Sequence, residues 1–431
     1  MPEQAEQRCL GDCVSLQRGN TYKSTLLGLP GPILLGLGTI ARDGGFKSTG
    51  LKSYGGDSEE KILLRPGDIF VSLKDVTQSG DLLGAVARVP DEVPLGRLTQ
   101  DTVKLTFRDR SFPKAYIYWL LRTPDYRAYC RAHATGTTNL GLSRDDFFAF
   151  PVPPLSTVRK CILDVLEAIE KKIDLNRRMN ETLEAMARAL FKDWFVDFGP
   201  TRAKMEGRAP YLASDLWALF PDRLDDDGKP EGWASGRLDA YAVLNPESWS
   251  KTTYPPEIEY VDLAGTKRGF IQQTDRYESA QAPSRAQRIL RESDTVVGTV
   301  RPGNGSYAYV SRAGLTGSTG FAVLRPRDTK VREFVYLAAT AAENIERLSH
   351  LADGGAYPAV RPDVVLDTDV VLCGEDTLAA FNRTVGALIA AIYHNDSQSI
   401  SLAATRDLLL PKLMSGEIRV RDAEKMVEPA L

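Results

Sequence analysis

Most enzymes build acid–base, nucleophilic and metal chemistry from histidine, cysteine and paired carboxylates. This chain of 431 residues holds 3 His and 5 Cys. His133, His350 and His394 lie far apart, so a histidine-rich metal centre is hard to assemble. Cys9, Cys13, Cys130, Cys161 and Cys373 are odd in number and lack C-x-x-C spacing, which reads as reduced thiols. Cys9 and Cys13 are close enough to pair or share a metal, but two isolated cysteines more often do neither. No phosphate-loop, dinucleotide, zinc-protease or nucleophile-elbow motif is present. Gly303-Asn304-Gly305 reads as a hairpin turn, and Asp145-Asp146 as solvated caps. Pro151-Val152-Pro153-Pro154 lacks the Asn or Asp and the aromatic that flank Pro-Pro in an adenine methyltransferase site. The expectation is no catalytic residue, no metal site and no cofactor bound by this chain.

The bulk composition is that of two to three folded domains: 43% hydrophobic, 26% charged and 8% aromatic residues. A net charge of −3, from 54 Lys+Arg against 57 Asp+Glu, excludes a chain that coats nucleic acid along its whole surface. The charges are uneven, however. Between Lys104 and Arg144 there are eight Lys/Arg against Asp109 and Asp125, and between Gly265 and Arg332 twelve against five acids. Local patches of this kind suit DNA, where Lys and Arg hold the backbone and Arg, Asn, Gln, Ser or Thr read base edges. MPEQAEQRCLGD lacks a basic segment followed by an apolar run, and Ile33–Leu35 is interrupted by Gly36 and Gly38. That predicts no signal peptide, no membrane span and a cytoplasmic location.

The elements that position these charges repeat. Leu64-Arg65-Pro66-Gly67-Asp68-Ile69-Phe70-Val71 aligns with Leu290-Arg291-Glu292-Ser293-Asp294-Thr295-Val296-Val297 at a shift of 226. Tyr116-Ile117-Tyr118 aligns with Phe334-Val335-Tyr336, and Gly136 and Asp145 with Gly354 and Asp363, at a shift of 218. Each half opens with strand-like segments separated by turns, continues with a short helix and ends in an apolar strand at Phe150-Pro151-Val152 or Val370-Val371-Leu372.

A heptad seam follows each half. In the first it runs through Ile162, Leu166, Ile169, Ile173, Asn176, Asn180, Leu183 and Leu190. In the second it runs through Val385, Leu388, Ile392, Asn395, Leu402 and Leu409, and Asn395 repeats Asn176 at a shift of 219. Antiparallel pairing of two such helices brings Asn180 to Asn395 and Asn176 to Ser399, a polar layer that fixes register at some cost in stability. The alternative is that each helix packs only on its own domain. Pro411 predicts a stop or kink near the end of the second helix. The acidic stretch Gly199–Glu231 reads as a solvated linker, with Leu216-Trp217-Ala218-Leu219-Phe220 able to dock on the first helix.

These residues resemble the specificity (S) subunit of type I restriction-modification systems, over essentially the whole chain. Arg406-Asp407-Leu408-Leu409-Leu410-Pro411-Lys412-Leu413-Met414-Ser415-Gly416-Glu417-Ile418 looks like the end of the family's second helical region. Leu190-Phe191-Lys192-Asp193-Trp194-Phe195-Val196-Asp197-Phe198 looks like the end of its central one. Gly19-Asn20-Thr21-Tyr22, Gly232-Trp233 and Arg65-Pro66-Gly67-Asp68 are similar to parts of its target recognition domains. The chain departs from the pattern at Leu155-Ser156-Thr157-Val158-Arg159, where the family often has Pro-Leu-x-x-Gln. It departs again at Glu292-Ser293, where the family has Pro-Gly.

The resemblance implies an α+β fold with a pseudo-two-fold internal repeat, in which two similar mixed α/β target recognition domains are separated by two long antiparallel helices forming a coiled coil. The corresponding boundaries are 1–155 for the first recognition domain, 156–198 for the central spacer helix and 199–231 for the linker. The second recognition domain is then 232–373, the second spacer helix 374–418 and the tail 419–431. It further implies double-stranded DNA with a bipartite target, two methyltransferase (M) subunits and restriction/translocase (R) subunits as partners. S-adenosylmethionine, ATP and Mg would then be used by those partners. The alternatives are the recognition portion of a fused methyltransferase-endonuclease, or a scaffold that does not bind DNA. Loop residues in or near the basic stretches are the DNA-contact candidates: Lys47, Lys52, Lys74, Arg131, Thr137, Thr138 and Asn139 in the first half, and Lys267, Arg268, Arg285, Arg301, Asn304 and Tyr357 in the second.

Overall fold

The computed structural model describes residues 8–42, 44–48, 50–76, 79–108, 112–137 and 139–415. The chain divides into two compact units, Met1–Leu175 with Ser397–Leu431, and Asn176–Asp396. Mixed helix and sheet make up both.

The first unit is built around the four-residue strand Ile69–Ser72, every residue of which is buried. Successive side chains of a strand point to opposite faces. Ile69 and Val71 accordingly enter one core with Val14, Val103 and Trp119, while Phe70 enters another with Leu35, Leu64 and Leu98. The strand lies in an antiparallel sheet of order Val14–Arg18, Thr102–Phe107, Ile69–Ser72, Val86–Arg88. A smaller sheet sets Ile33–Leu35 parallel and Leu63–Leu64 antiparallel to Gly96–Leu98.

The second unit repeats this order. Ala242–Leu244, Phe321–Pro326, Thr295–Gly298 and Tyr307–Tyr309 form its antiparallel sheet. Val297 and Val296 again face two different cores. In a second four-stranded sheet Glu257–Val261 runs parallel and Ala286–Ile289 antiparallel to Leu315–Ser318.

The turn before each central strand is the same despite the change of sequence. Asp68 N–H donates to the Arg65 carbonyl (3.0 Å) and Asp294 N–H to that of Arg291 (3.1 Å). Gly67 has φ of 81° and Ser293 of 73°. A left-handed conformation costs a non-glycine residue roughly 1–2 kcal/mol. Ser293 is held there by its own N–H on the Val310 carbonyl (2.8 Å) and by the Tyr309 hydroxyl on its Oγ (3.1 Å). The Glu292-Ser293 departure therefore leaves the turn intact.

The long helices are Thr157–Phe195 and Glu375–Ser415. The second contains Pro411 without ending there, so of the stop or kink expected at this proline the stop does not occur. Proline removes one intrahelical bond, and Leu409 and Leu410 just before it are anchored in the first unit's core. The tail 419–431 lies outside the described residues.

Gly199–Glu231 is not a merely solvated linker. It carries the helices Gly199–Met205 and Ser214–Trp217, and Phe220 is buried 4.9 Å from the ring of Trp194. Lys204 Nζ caps the Phe220 carbonyl at 2.6 Å, and Arg223 clasps Glu231 through two bonds of 2.7 and 2.8 Å. The cause is aromatic: Phe191, Trp194, Phe195 and Phe198 at the end of the first long helix join Phe220, Trp233, Phe334 and Phe381 in one core.

Candidate nucleic-acid interface

Each unit carries a closed loop beside its central sheet. In the first, Thr135 and Gly141 exchange two backbone hydrogen bonds of 2.8 Å, closing a loop that holds Thr137 and Asn139, both exposed. In the second, Asp353 and Ala359 exchange bonds of 3.1 and 2.9 Å around a loop that holds Tyr357, 72% exposed. Positive φ at Gly136 (98°) and Gly354 (117°) makes both loops turn at the same point. Thr138 lies outside the described residues.

The strand beside the first loop supplies Lys74, which pairs with Gly141. Arg131 lies nearby, since a Cβ on Gly80 would sit within 4 Å of both its side chain and that of Leu140. The residue beside the second loop is Arg301, whose N–H donates to the Pro358 carbonyl (2.7 Å). Its guanidinium lies 4.7 Å over the Tyr357 ring and also donates to the Ala356 carbonyl. Lys267 Nζ reaches the Asn304 carbonyl (3.3 Å) and Arg268 N–H that of Gly305 (2.8 Å). Lys267, Arg268, Arg301, Asn304 and Tyr357 thus form one patch, with left-handed backbone at Arg268 and Arg301 aiming the two guanidinium stems.

Three candidates lie apart from these loops. Lys47 N–H bonds the Thr39 carbonyl, and the Lys52 carbonyl accepts from Leu34, so both flank the smaller sheet. Arg285 precedes the strand Ala286–Ile289 and bonds Thr319 through its carbonyl.

The basic stretches overstate the free charge. Arg122 is buried against Tyr118 and Glu170, and Arg127 is buried on the carbonyls of Asp81 and Leu83. Lys104 and Lys114 both meet Asp68. In the second stretch Arg291 and Arg325 share Glu247, Arg325 also holds the buried Asp294, and Arg312 holds Glu259. Hydrogen bonds from Arg291 and Arg325 lower the Glu247 carboxyl to about 2, and one from Arg312 does the same for Glu259.

Sequence reading missed a pair of clefts. One, of about 730 Å³, lies between Arg18, Tyr22, Lys23, Tyr54 and Arg97. The other, of about 550 Å³, lies between Trp249, Lys251, Tyr254 and Ser284. The available signal was an aromatic followed closely by lysine in the loop after the first strand of each unit's central four-stranded sheet, Tyr22-Lys23 and Trp249-Ser250-Lys251.

The helical seam is apolar within each unit. Ile162, Leu166 and Ile169 share a core with Leu402 and Leu409, and Ile173 packs against it half-buried. Val385 and Ile392 share the other core, with Leu183, Leu190 and Leu388 at its edge. Asn176, Asn180 and Asn395 are buried. Asn395 Nδ2 donates to Asn180 Oδ1 (2.9 Å), Asn180 Nδ2 to the Ile392 carbonyl (3.2 Å) and Asn176 Nδ2 to the Asn395 carbonyl (3.2 Å). The first helix is tied to its domain by Glu167, which accepts two bonds from Arg88 (2.9 and 3.0 Å) and one from Trp119 Nε1 (2.6 Å). Among the described residues there is no His/Cys/Asp/Glu cluster able to hold a metal, and no helix long and apolar enough to cross a membrane.

No family model matches the chain. It is 25% identical over 316 residues to the type I restriction enzyme HindI specificity subunit of Haemophilus influenzae, covering 62% of this chain and 68% of that protein. It is 22% identical over 320 residues to the MjaIX specificity subunit of Methanocaldococcus jannaschii, covering 71% and 69%. The chain is thus similar to curated type I restriction enzyme specificity subunits. It shares its fold with the S subunit from M. genitalium, at a TM-score of 0.54 and 15% identity, over 96% of this chain and 98% of that one.

Proposed function

We propose that this chain is the non-catalytic DNA sequence-recognition subunit of a type I restriction-modification complex. Each globular domain reads one half of a bipartite, asymmetric target in double-stranded DNA. The observation that carries the reading is the recurrence, in both units, of one strand order with one closed, exposed loop beside it, each flanked by a basic residue, Lys74 or Arg301. Different side chains on equivalent loops, Thr137 and Asn139 against Tyr357, suit two different half-sites.

The helices set the spacing between half-sites. Helices of 39 and 41 residues are about 60 Å long at ~1.5 Å per residue, enough to bridge half-sites one DNA turn apart, ~34–36 Å. Two M subunits dock on the helices, where Met179 and Met186, seven residues apart, are exposed on one face, as are Ile400 and Leu408. S-adenosylmethionine, ATP and Mg are used by the M and R subunits, not by this chain.

The test is methylome sequencing of a host carrying the M subunits with and without this chain. A bipartite adenine motif that depends on the chain is expected, and Arg301→Ala should relax or change one half-site while leaving the other untouched. Methyl transfer by the purified chain alone would instead favour a fused enzyme.

A further inference from the structure

The two clefts occupy one station in the fold. Each lies in the loop between the first strand of the four-stranded sheet and the strand that runs parallel in the second sheet. Their far walls, Tyr54 in one and Ser284 in the other, precede the antiparallel neighbours Leu63–Leu64 and Ala286–Ile289.

The first cleft has a buried cation beneath it. Arg97 is 3% exposed and lies 4.6 Å over the Tyr54 ring. Among the described residues its guanidinium donates to carbonyls alone, those of Thr21 (2.9 Å), Leu98 (3.1 Å) and Asn20 (3.5 Å). Its Nε has no hydrogen-bond partner among the described residues, and no carboxylate pairs with it there. A buried charge without a counter-charge is costly. An anion above it would offset that cost. Arg18 and Lys23 stand exposed at the rim, neither in an ion pair among the described residues; Asp57 is the one carboxylate among the lining residues, and Glu59, which accepts from Asn20 beside the cleft, is paired with Lys61. Tyr22, 42% exposed and edge-on to Tyr54, adds a hydroxyl and an aromatic face. The second cleft carries Lys251 and Trp249 at its mouth, and Arg285 is exposed between its lining residues Ser284 and Ala286.

We propose that each cleft holds a phosphodiester of the DNA backbone, one per half-site, and so supplies sequence-independent grip rather than base reading. The inference rests on the recognition function proposed above. It also gives a role to Lys52 and Arg285, which lie away from the exposed loops: Arg285 flanks its cleft, and Lys52 is two residues from Tyr54. Duplication favours the polymer over a free nucleotide, because a repeating backbone presents the same group to both domains.

The test is fluorescence anisotropy of the full chain, assembled with M subunits, on target and unrelated duplexes across a salt series. Lys23→Ala and Lys251→Ala change exposed side chains. Each should weaken both duplexes alike, by about three- to tenfold, and lower the slope of log K against log salt by about 1, the double variant by about 2. Unchanged slopes, or a loss confined to the target duplex, would overturn the proposal. Loss of binding to dAMP or inorganic phosphate in Lys23→Ala with duplex affinity intact would also overturn it and mark a free-phosphate site. If the wild-type assembly binds neither duplex, the recognition function itself fails; if the wild type binds and the variants match it, only the cleft assignment fails.

Discussion

The buried asparagines of the helical seam make a sharp stability prediction. Asn395→Ala removes the donor that satisfies Asn180 Oδ1 at 2.9 Å, and both residues are 7% exposed. Leaving a buried acceptor unpaired costs about 1–3 kcal/mol. At about 2 kcal/mol, the melting temperature of a unit of this size should fall by about 4–8 °C. Replacing both partners, Asn180→Leu with Asn395→Leu, removes the unpaired groups together and should be neutral or stabilising, since apolar packing often equals a buried polar pair. Urea unfolding followed by tryptophan fluorescence reads this directly, because Trp194 and Trp233 are buried in the same unit. On the function proposed above, M subunits assembled with the double variant should methylate motifs of more than one spacer length, since a polar layer fixes register. A single variant within 0.5 kcal/mol of wild type, or a double variant as unstable as the two singles summed, would refute the idea that the layer trades stability for register.

Three further outcomes are expected. Glu167→Ala strips Arg88 and the Trp119 N–H of their shared acceptor and should destabilise the first unit by about 2–3 kcal/mol, measured by urea unfolding, with Glu167→Gln intermediate. Glu247 and Glu259 are held at about 2 against an ordinary 4.5, so their contribution to stability is full above pH 4.5 and is lost as pH falls through about 2. Glu247→Gln with Glu259→Gln should flatten that acid limb in a pH series of thermal melts. Burial pushes the Cys130 thiol up to about 11 and that of Cys373 to about 12, so iodoacetamide at pH 8 should label half-buried Cys9 and Cys161 first, as read by peptide mass mapping.

Periodicity is local information, and the chain states it openly. The 226-residue shift that aligns Leu64–Val71 with Leu290–Val297, the heptads around Ile162–Ile169 and the scarcity of histidine could all be read from residue type and spacing. Of the stop or kink that Pro411 predicts, the stop does not occur, because a proline near a helix end loses one hydrogen bond whereas Leu409 and Leu410 gain a core. In the 199–231 segment the apolar patch ending at Phe220 was legible, and Phe220 is buried against Trp194 of the first long helix, but the helices Gly199–Met205 and Ser214–Trp217 were hidden by the acidic, turn-rich composition around them.

Residue type and spacing alone determined that this is a duplicated α+β chain with long seamed helices and little material for chemistry of its own. Only the tertiary structure decided which basic residues are available to a ligand. Arg122 and Arg325 are paired with carboxylates distant in sequence and Arg127 is buried on backbone carbonyls, while Arg301, Lys23 and Lys251 are left exposed. Charge is a property of the residue, but its availability depends on what the fold brings within about 4 Å of it, and that no linear pattern records.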